Sequence, residues 1–250
     1  MIFEELLMKV SLPKPTVIKK IIKENEKVKT FVTEAKIKAL PGQFIMVWLP
    51  RIAEKPFAVV DNTPLTFTVA KVGRFTSALH QLQKGDKIWF RGPFGKGVFK
   101  KENKNSVFVG GGYGVAPLFF LAKKFFSKEG GTIIIGAKTK DDLLFEDKFK
   151  KIGFKVLVST EDGSKGTKGL ATDVLMKILT MEKINNIFAC GPEKMLEKVV
   201  DICQKFKVKY QISLEAIIKC GFGVCGSCSQ GGKLICEDGP VFKQWPKERR

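Results

Sequence analysis

Histidine is nearly absent from this sequence of 250 residues, in which His80 is the single occurrence. Catalysis by a nucleophilic side chain commonly needs a histidine base, and no Ser/His/Asp arrangement is apparent around His80. This residue falls inside a short predicted helix, where a surface or packing role is the ordinary expectation. The sequence therefore argues against His-dependent nucleophilic chemistry.

Long hydrophobic runs are lacking as well. The longest uncharged stretch, from Val107 to Ala122, is rich in glycine and contains Pro117, and it falls short of the roughly 18 apolar residues that a membrane-spanning helix needs. Glu4 and Glu5 interrupt the N-terminal apolar stretch, so no signal peptide is evident. We therefore expect a cytoplasmic protein without a membrane partner.

Acidic residues are also scarce relative to basic ones. The sequence has 25 Asp and Glu and 44 Lys and Arg, which gives a formal net charge of +19. The lysines are scattered almost evenly, whereas a nucleic-acid binder more often clusters basic residues among exposed aromatics. A lysine-rich solvated surface is one interpretation, and attraction for anionic cofactors and an acidic partner protein is the other. We expect no nucleic-acid partner.

Short strand runs separated by turn residues fill the first part of the chain, with one short helix at Phe75–Leu82. Closely spaced strands of this kind favour a small antiparallel barrel, which we assign to a first domain, residues 1–100. The predicted strands are Thr16–Ile22, Val28–Glu34, Gln43–Leu49, Phe57–Val60, Leu65–Val72 and Lys87–Arg91.

From about Ser106 onwards, apolar strands alternate with helices, which predicts a parallel sheet built from right-handed crossovers. We assign this nucleotide-binding α/β domain to residues 101–211. The Gly- and Cys-rich end, residues 212–250, is predicted to be neither helix nor strand and to form a small metal-bearing subdomain. The predicted strands are Val107–Val109, Ile133–Gly136, Val156–Ser159 and Ile187–Ala189, and the helices are Val115–Phe126, Leu143–Lys151, Leu170–Leu179 and Glu193–Phe206.

Four of the six cysteines crowd into the C-terminal segment, at Cys220, Cys225, Cys228 and Cys236. Their C-x4-C-x2-C…C spacing is the plant-type pattern of a 2Fe–2S cluster, which needs four thiolates. Glycines between the first three cysteines let the chain wrap a compact anionic group. The rival hypotheses are a structural zinc site, which normally uses two C-x2-C knuckles, and buried inert thiols.

Two glycine-containing junctions follow predicted strands of the α/β domain. Such junctions let backbone N–H groups approach a pyrophosphate, although a tight packing turn or a small buried residue explains each motif as well. The first junction is not the G-x-G-x-x-G fingerprint. Its candidate dinucleotide-binding residues are Gly110, Gly111, Gly112, Gly114, Ala116 and Pro117, and those of the second are Cys190, Gly191 and Pro192.

The order of barrel, GGGYGVAP and CGPEKM resembles the ferredoxin–NADP reductase superfamily. The C-terminal CGFGVCGSC…C, followed by EDGPVF, is closest to one branch, the electron-transfer subunits of dihydroorotate dehydrogenase, and the resemblance covers essentially the whole chain. The resemblance implies FAD in the barrel, NAD in the α/β domain and a 2Fe–2S cluster at the C-terminal end.

The flavin signature of that family, R-P-x-S, falls on Lys55, Pro56, Phe57 and Ala58, so that two of its polar members are changed. Lys55 can still pair with a phosphate, but as a point charge without the guanidinium fork. Ala58 offers no hydroxyl. Further flavin contacts implied by the resemblance fall on Ala70, Lys71, Val72, Phe75 and Thr76, where a helix cap explains the Thr76 hydroxyl equally well.

The resemblance also implies a mechanism and a partner. A flavin-bearing catalytic subunit oxidises dihydroorotate on its FMN during pyrimidine biosynthesis, and electrons then cross the cluster singly, collect on FAD and leave as hydride to NAD⁺. A heterotetramer with two copies of each subunit is expected. No side chain of this chain needs to act as an acid or a base.

Other interpretations stay open. A related diaphorase subunit of a hydrogenase or a ferredoxin:NADPH transhydrogenase has the same architecture, although Cys220 favours the dihydroorotate branch, since the transhydrogenase relatives commonly carry a carboxylate near that position. A zinc-bearing binding module is the alternative from another class. Lys138 and Lys140 suit a 2′-phosphate and Asp141 suits a free ribose, so NADP stays open beside NAD.

Overall fold

The computed structural model describes residues 12–102 and 105–246. They form two compact units, of which the first contains residues 12–97 and 216–240, and the second contains residues 98–215 and 241–246 apart from the undescribed pair. The domain boundaries at residues 100 and 211 stay predictions. Within the described ranges, no helix is long and apolar enough to span a membrane.

A closed antiparallel barrel forms the first unit, as the sequence predicts. Its strands are β1 (Lys14–Lys23), β2 (Val28–Thr33), β3 (Phe44–Leu49), β4 (Ala53–Asn62), β5 (Leu65–Ala70) and β6 (Lys87–Phe94). They pair in the order β1-β2-β5-β4-β3-β6, and the first closes onto the last. Because every strand of the barrel pairs with a strand on each side, the barrel has no exposed edge strand.

Strand β3 shows how residue alternation builds this barrel. Ile45 and Val47 are fully buried, while Trp48 on the other face packs edge-on against Trp89 of β6, with ring centres 5.7 Å apart. Met46 shares the outer face with Trp48, because alternate residues point the same way. It is nevertheless fully buried. The C-terminal segment covers it, as described below.

Helix α1 (Arg74–Gln81) follows β5 and begins one residue before the predicted start. Its apolar side, including Phe75 and Leu79, is buried. His80 is buried with them, and its Nε2–H donates a hydrogen bond of 3.0 Å to the Val69 carbonyl. The single histidine is thus a packing residue of the barrel.

The second unit contains a seven-stranded sheet. Its strands are β7 (Ser106–Gly111), β8 (Gly131–Ala137), β9 (Phe154–Thr160), β10 (Thr167–Lys168), β11 (Asn186–Cys190), β12 (Lys209–Ser213) and β15 (Val241–Phe242). Two further strands of the described residues, β13 (Ser229–Gln230) and β14 (Lys233–Leu234), precede β15 in the chain and lie outside this sheet. The sheet order is β10-β9-β8-β7-β11-β12-β15. Its first six strands are parallel and β15 is antiparallel to β12, which confirms the predicted parallel sheet.

Helices α2 (Val115–Phe125), α3 (Glu146–Lys151), α4 (Ala171–Met181) and α5 (Glu193–Phe206) connect these strands. An aromatic cluster lies at the centre of the unit, where the Phe108 ring is 5.0 Å from Phe188, 5.1 Å from Phe154 and 5.3 Å from Phe126. Burial of these large rings stabilises the core by roughly 25 cal/mol per Å² of apolar surface removed from water. The core holds the carboxyl ends of β7 and β11 in register.

The C-terminal segment is more regular than predicted. We expected neither helix nor strand after residue 212, but β13 and β14 form a hairpin in the first unit, and β15 joins the sheet of the second. Gly231 and Gly232 connect the hairpin, with φ of +54° and +70°. Positive φ at both central residues gives the tight turn that glycine alone adopts freely.

Candidate functional site

The four clustered cysteines lie on one loop of the first unit and fall into two pairs. The thiols of Cys220 and Cys225 are within hydrogen-bonding reach of each other, and so are those of Cys228 and Cys236. Cys225 is exposed and Cys220 half-buried, while the other pair is buried. One side of the thiol cluster therefore faces solvent.

This paired arrangement distinguishes the two metal hypotheses. A structural zinc ion needs four ligands around one centre. A 2Fe–2S cluster takes two thiolates on each iron, and two adjacent pairs supply this set. The donor set fits the two-iron cluster better than zinc.

Backbone N–H groups surround the Cys220 sulfur. Burial opposes the thiolate form, but hydrogen bonds from the N–H groups of Cys225, Phe222 and Val224 outweigh it, so the pKa of Cys220 is lowered. Amides aimed at sulfur stabilise negative charge there. A loop of this kind suits an anionic iron–sulfur group.

The other thiols have similar partners. The Ser227 hydroxyl and N–H lower the pKa of Cys225 to about 6. Gly223 N–H donates to the Cys236 sulfur at 3.2 Å, and Cys236 N–H donates to the Cys228 sulfur at 3.4 Å. Burial raises the pKa of Cys236 to about 12 in the metal-free thiol form. Metal ligation releases such a proton, because only the thiolate binds iron.

Glycine is required where the loop turns and touches the barrel. Gly221 and Gly223 have φ of +88° and +85°. A Cβ on Gly221 would lie 3.1 Å from Met46 Cγ and 3.3 Å from the Phe94 ring. The loop therefore packs on the outer face of β3 and β6, which explains the burial of Met46.

The predicted flavin residues lie on β4, at the end of β5 and just after it, and on α1. Lys55, Pro56, Phe57 and Ala58 lie inside β4, which is longer than the predicted Phe57–Val60 and continues through its proline. The Phe57 ring is 6.1 Å from the Phe75 ring, with 23° between their planes. This contact brings β4 and α1 together, and Ala70, Lys71 and Val72 lead into the same helix.

Thr76 acts as a local cap rather than a free hydroxyl. Its Oγ1 accepts hydrogen bonds from the N–H groups of Val72 at 2.9 Å and Gly73 at 3.0 Å, and donates to the Gly73 carbonyl. The exposed cations Lys55 and Lys71 remain as partners of suitable charge for a pyrophosphate. These charges suit a dinucleotide, and the Thr76 hydroxyl is not needed to bind it.

In the second unit, the two glycine junctions touch each other. Cys190 of β11 pairs with Gly110 of β7. A Cβ on Gly111 would lie 2.8 Å from Pro192 Cδ, and one on Gly114 would lie 2.6 Å from the Cys190 carbonyl oxygen. Close packing between the junctions thus accounts for Gly111 and Gly114.

Gly112 differs from the other glycines of its run. Its φ is +52° and nothing lies within 4 Å of where a Cβ would stand. Gly191 packs on Gly111, while Ala116 and Pro117 are buried in the first turn of α2. Gly112 is therefore the position of this set that is open to a ligand.

Sequence analysis missed the polar neighbours of Cys190. Burial, followed by the negative charge of Glu215, raises the pKa of the Cys190 thiol, and a hydrogen bond with the Ser213 hydroxyl opposes this. The Glu215 charge is also the largest cause of the raised pKa of Tyr113. Ser213 ends β12, a strand that we did not predict. The carboxyl ends of parallel strands are the signal that would have identified it.

The fold and the two sites define a class of protein. Residues 108–201 match the family described as the oxidoreductase NAD-binding domain. The FAD/NAD-binding domain of a nitric oxide dioxygenase from Vibrio cholerae shares the fold, with a TM-score of 0.66 at 18% identity over 80% of this chain and 98% of that one. The chain is an oxidoreductase with a ferredoxin–NADP reductase-like fold.

More similar relatives identify the family. Residues 215–245 match the iron–sulfur cluster binding domain of dihydroorotate dehydrogenase B. A Methanocaldococcus jannaschii protein named "Probable dihydroorotate dehydrogenase B (NAD(+)), electron transfer subunit" is 43% identical over 92% of this chain and 90% of its own length. A Pyrococcus furiosus protein of the same name is 41% identical over 86% and 84%. The chain belongs to the family of dihydroorotate dehydrogenase B electron transfer subunits.

A solved structure extends this comparison. It is described as the NADH-dependent reduced ferredoxin–NADP oxidoreductase, in work on flavin-based electron bifurcation, and a chain of it is 34% identical to this one. The TM-score is 0.83, and the match covers 91% of this chain and 87% of that chain. This chain therefore shares its fold over most of its length with an oxidoreductase of another name.

Proposed function

We propose that this chain is the electron-transfer subunit of an NAD⁺-linked dihydroorotate dehydrogenase, a step of pyrimidine biosynthesis. The observation that carries the proposal is the set of two thiol pairs inside the segment that matches the iron–sulfur domain of that enzyme. When bound, the cluster supplies single-electron transfer, FAD exchanges one or two electrons, and NAD⁺ accepts hydride. The partner subunit oxidises dihydroorotate on its FMN.

Each group has its own residues in this proposal. Cys220, Cys225, Cys228 and Cys236 hold a 2Fe–2S cluster, and the loop amides offset its negative charge. FAD would be held along β4 and at the start of α1, where the exposed Lys55 and Lys71 would pair with its phosphates. NAD is held at Gly112 and the two glycine junctions, with NADP as the alternative nucleotide.

We further propose a heterotetramer with two FMN-bearing subunits, working in the cytoplasm. Thiol ligands need a reducing compartment, because oxidation to disulfides removes the thiolates that iron requires. The positive charge of +19 favours association with an acidic partner surface.

A second candidate function is supported by the 34% identical structure, namely a subunit of an NADH-dependent ferredoxin–NADP oxidoreductase. Cys220 favours the dihydroorotate branch, because it offers a fourth thiol, beside that of Cys225, for the proposed cluster. Affinity capture from native extract separates the two. Recovery of an FMN-bearing barrel protein supports our choice, and recovery of a glutamate-synthase-like subunit contradicts it.

The test of the proposed activity uses the complex co-purified with the FMN-bearing subunit. We expect dihydroorotate to reduce NAD⁺ in the wild-type complex and a Cys225→Ser variant to lose this activity. Dihydroorotate should still reduce an artificial dye in that variant, because the partner subunit is intact. Cys203→Ala, a buried thiol outside the cluster, is the control that should keep both activities. Failure of the wild-type complex to couple dihydroorotate to NAD⁺ contradicts the proposal.

A further inference from the structure

A buried arginine connects the barrel to the loop that carries Cys220. The side chain of Arg91 on β6 is 9% exposed, and its Nη2 donates a hydrogen bond of 3.0 Å to the Cys220 carbonyl oxygen. A guanidinium is always protonated in proteins. A full positive charge therefore lies one hydrogen bond away from the main chain of a proposed cluster ligand.

Glu54 on β4 fixes the orientation of this arginine. Arg91 Nε is 2.7 Å from Glu54 Oε1, and Nη2 is 2.6 Å from Oε2, which is a two-pronged ion pair. Strand β3 lies between β4 and β6, so the pair spans the strand on which Met46 is covered by the loop. Bidentate pairing adds geometric specificity to the charge, and a lysine does not reproduce it.

Two aromatic rings enclose the guanidinium. Arg91 Cζ lies 5.5 Å from the centre of the Phe94 ring and 5.7 Å from that of Phe222. Phe222 belongs to the cysteine loop itself, between Cys220 and Cys225. The Arg91 side chain has little contact with water, which strengthens the interaction of its charge with its neighbours.

We propose that Arg91 is a positioning residue for the iron–sulfur cluster, which fixes the main chain at Cys220 and raises the reduction potential of the cluster. The inference rests on the proposed function. Reduction adds one electron to the cluster and transfers no atom. Nearby positive charge and hydrogen bonds favour the more negative, reduced form, and the bond to Cys220 points the positive end of the pair towards the loop.

The test uses the full-length chain loaded with FAD and iron–sulfur cluster. Arg91→Lys keeps the charge and loses the fork. The double variant Glu54→Gln with Arg91→Gln removes both charges and leaves no unpaired buried carboxylate. Lys87→Gln is the matched control, because Lys87 is an exposed cation on the same strand.

In the double variant we expect a more negative midpoint potential of the cluster, measured by redox titration with EPR detection. Release of iron to a chelator should be about tenfold faster, as for other residues that orient metal ligands. Arg91→Lys should release iron faster than wild type, with a smaller change in potential. Lys87→Gln should match wild type, and all variants should keep their FAD.

An unchanged potential and release rate in the double variant would overturn the proposal. Loss of FAD together with the cluster in both Arg91 variants would also overturn it, because Arg91 would then support the barrel in general. A wild-type chain that gives no 2Fe–2S signal after reconstitution contradicts the proposed function instead. The two failures are therefore distinguishable.

Discussion

His80 is a buried side chain, close to the residues proposed to bind FAD, whose protonation affects the stability of the barrel. His80 lies on α1, and its Nε2–H donates to the Val69 carbonyl, one residue before the segment proposed to hold FAD. Burial lowers the pKa of His80 below 6.5, the nearby charges of Lys29 and Lys71 act in the same direction, and the Val69 hydrogen bond opposes them. The folded state therefore favours neutral histidine.

A pH-dependent stability follows from this residue. Because the pKa of His80 is lower in the folded chain than in the unfolded chain, the unfolded chain binds a proton on His80 more readily. The contribution of neutral His80 to stability is therefore fully present above pH 6.5 and is lost as the pH falls below that value. We expect the wild-type free energy of unfolding to fall towards acid more steeply than that of His80→Gln, which keeps an N–H donor. Urea unfolding of both proteins across this range measures it. Parallel pH profiles would contradict the assignment.

At the scale of elements, the order of the barrel strands and of the alternating strands and helices is predicted better than the bounds of each element. Helix α5 has its predicted bounds, whereas β4 begins at Ala53 rather than at the predicted Phe57 and runs through Pro56. Strand β12 was missed because Lys209 and Gln211 break up a run of only five residues.

Some residues of the candidate site can be identified from their spacing in the sequence, and others are brought together only by the fold. Cysteine spacing is local, so the four proposed cluster ligands can be identified from the sequence. The pair of Arg91 and Glu54 cannot, because 37 residues separate them and only the barrel order places their strands on either side of β3. Helix caps such as Thr76 explain a motif hydroxyl without any ligand.

Strand β4 carries a prediction about flavin affinity. The double variant Lys55→Arg with Ala58→Ser restores the family signature, and we expect FAD to bind about tenfold more tightly, because a charge-assisted hydrogen bond contributes roughly 1.5 kcal/mol or more. Fluorescence titration of the flavin-depleted protein measures this. Lys87→Arg, on an exposed position of β6, is the control that should leave the affinity unchanged. Equal affinities for wild type and the double variant would contradict the placement of FAD on β4.

At the scale of the whole molecule, each unit carries a separate part of the chemistry. The first unit contains the cysteine loop and the segment proposed to bind the flavin, and the second contains the glycine junctions. Bound FAD, dinucleotide and an anionic cluster each offset part of the net charge of +19. The lysine-rich surface therefore accompanies a protein whose ligands are all negatively charged.

The most direct test of this account is the absorption spectrum of the anaerobically purified chain during titration with NADH. We predict flavin bands together with a broad, redder cluster absorption, and both should bleach as NADH is added. This result requires that one chain binds the nucleotide, the flavin and the cluster, and that electrons pass from NADH to both the flavin and the cluster. A colourless protein, or one with flavin but no cluster after reconstitution with iron and sulfide, would contradict the central claim.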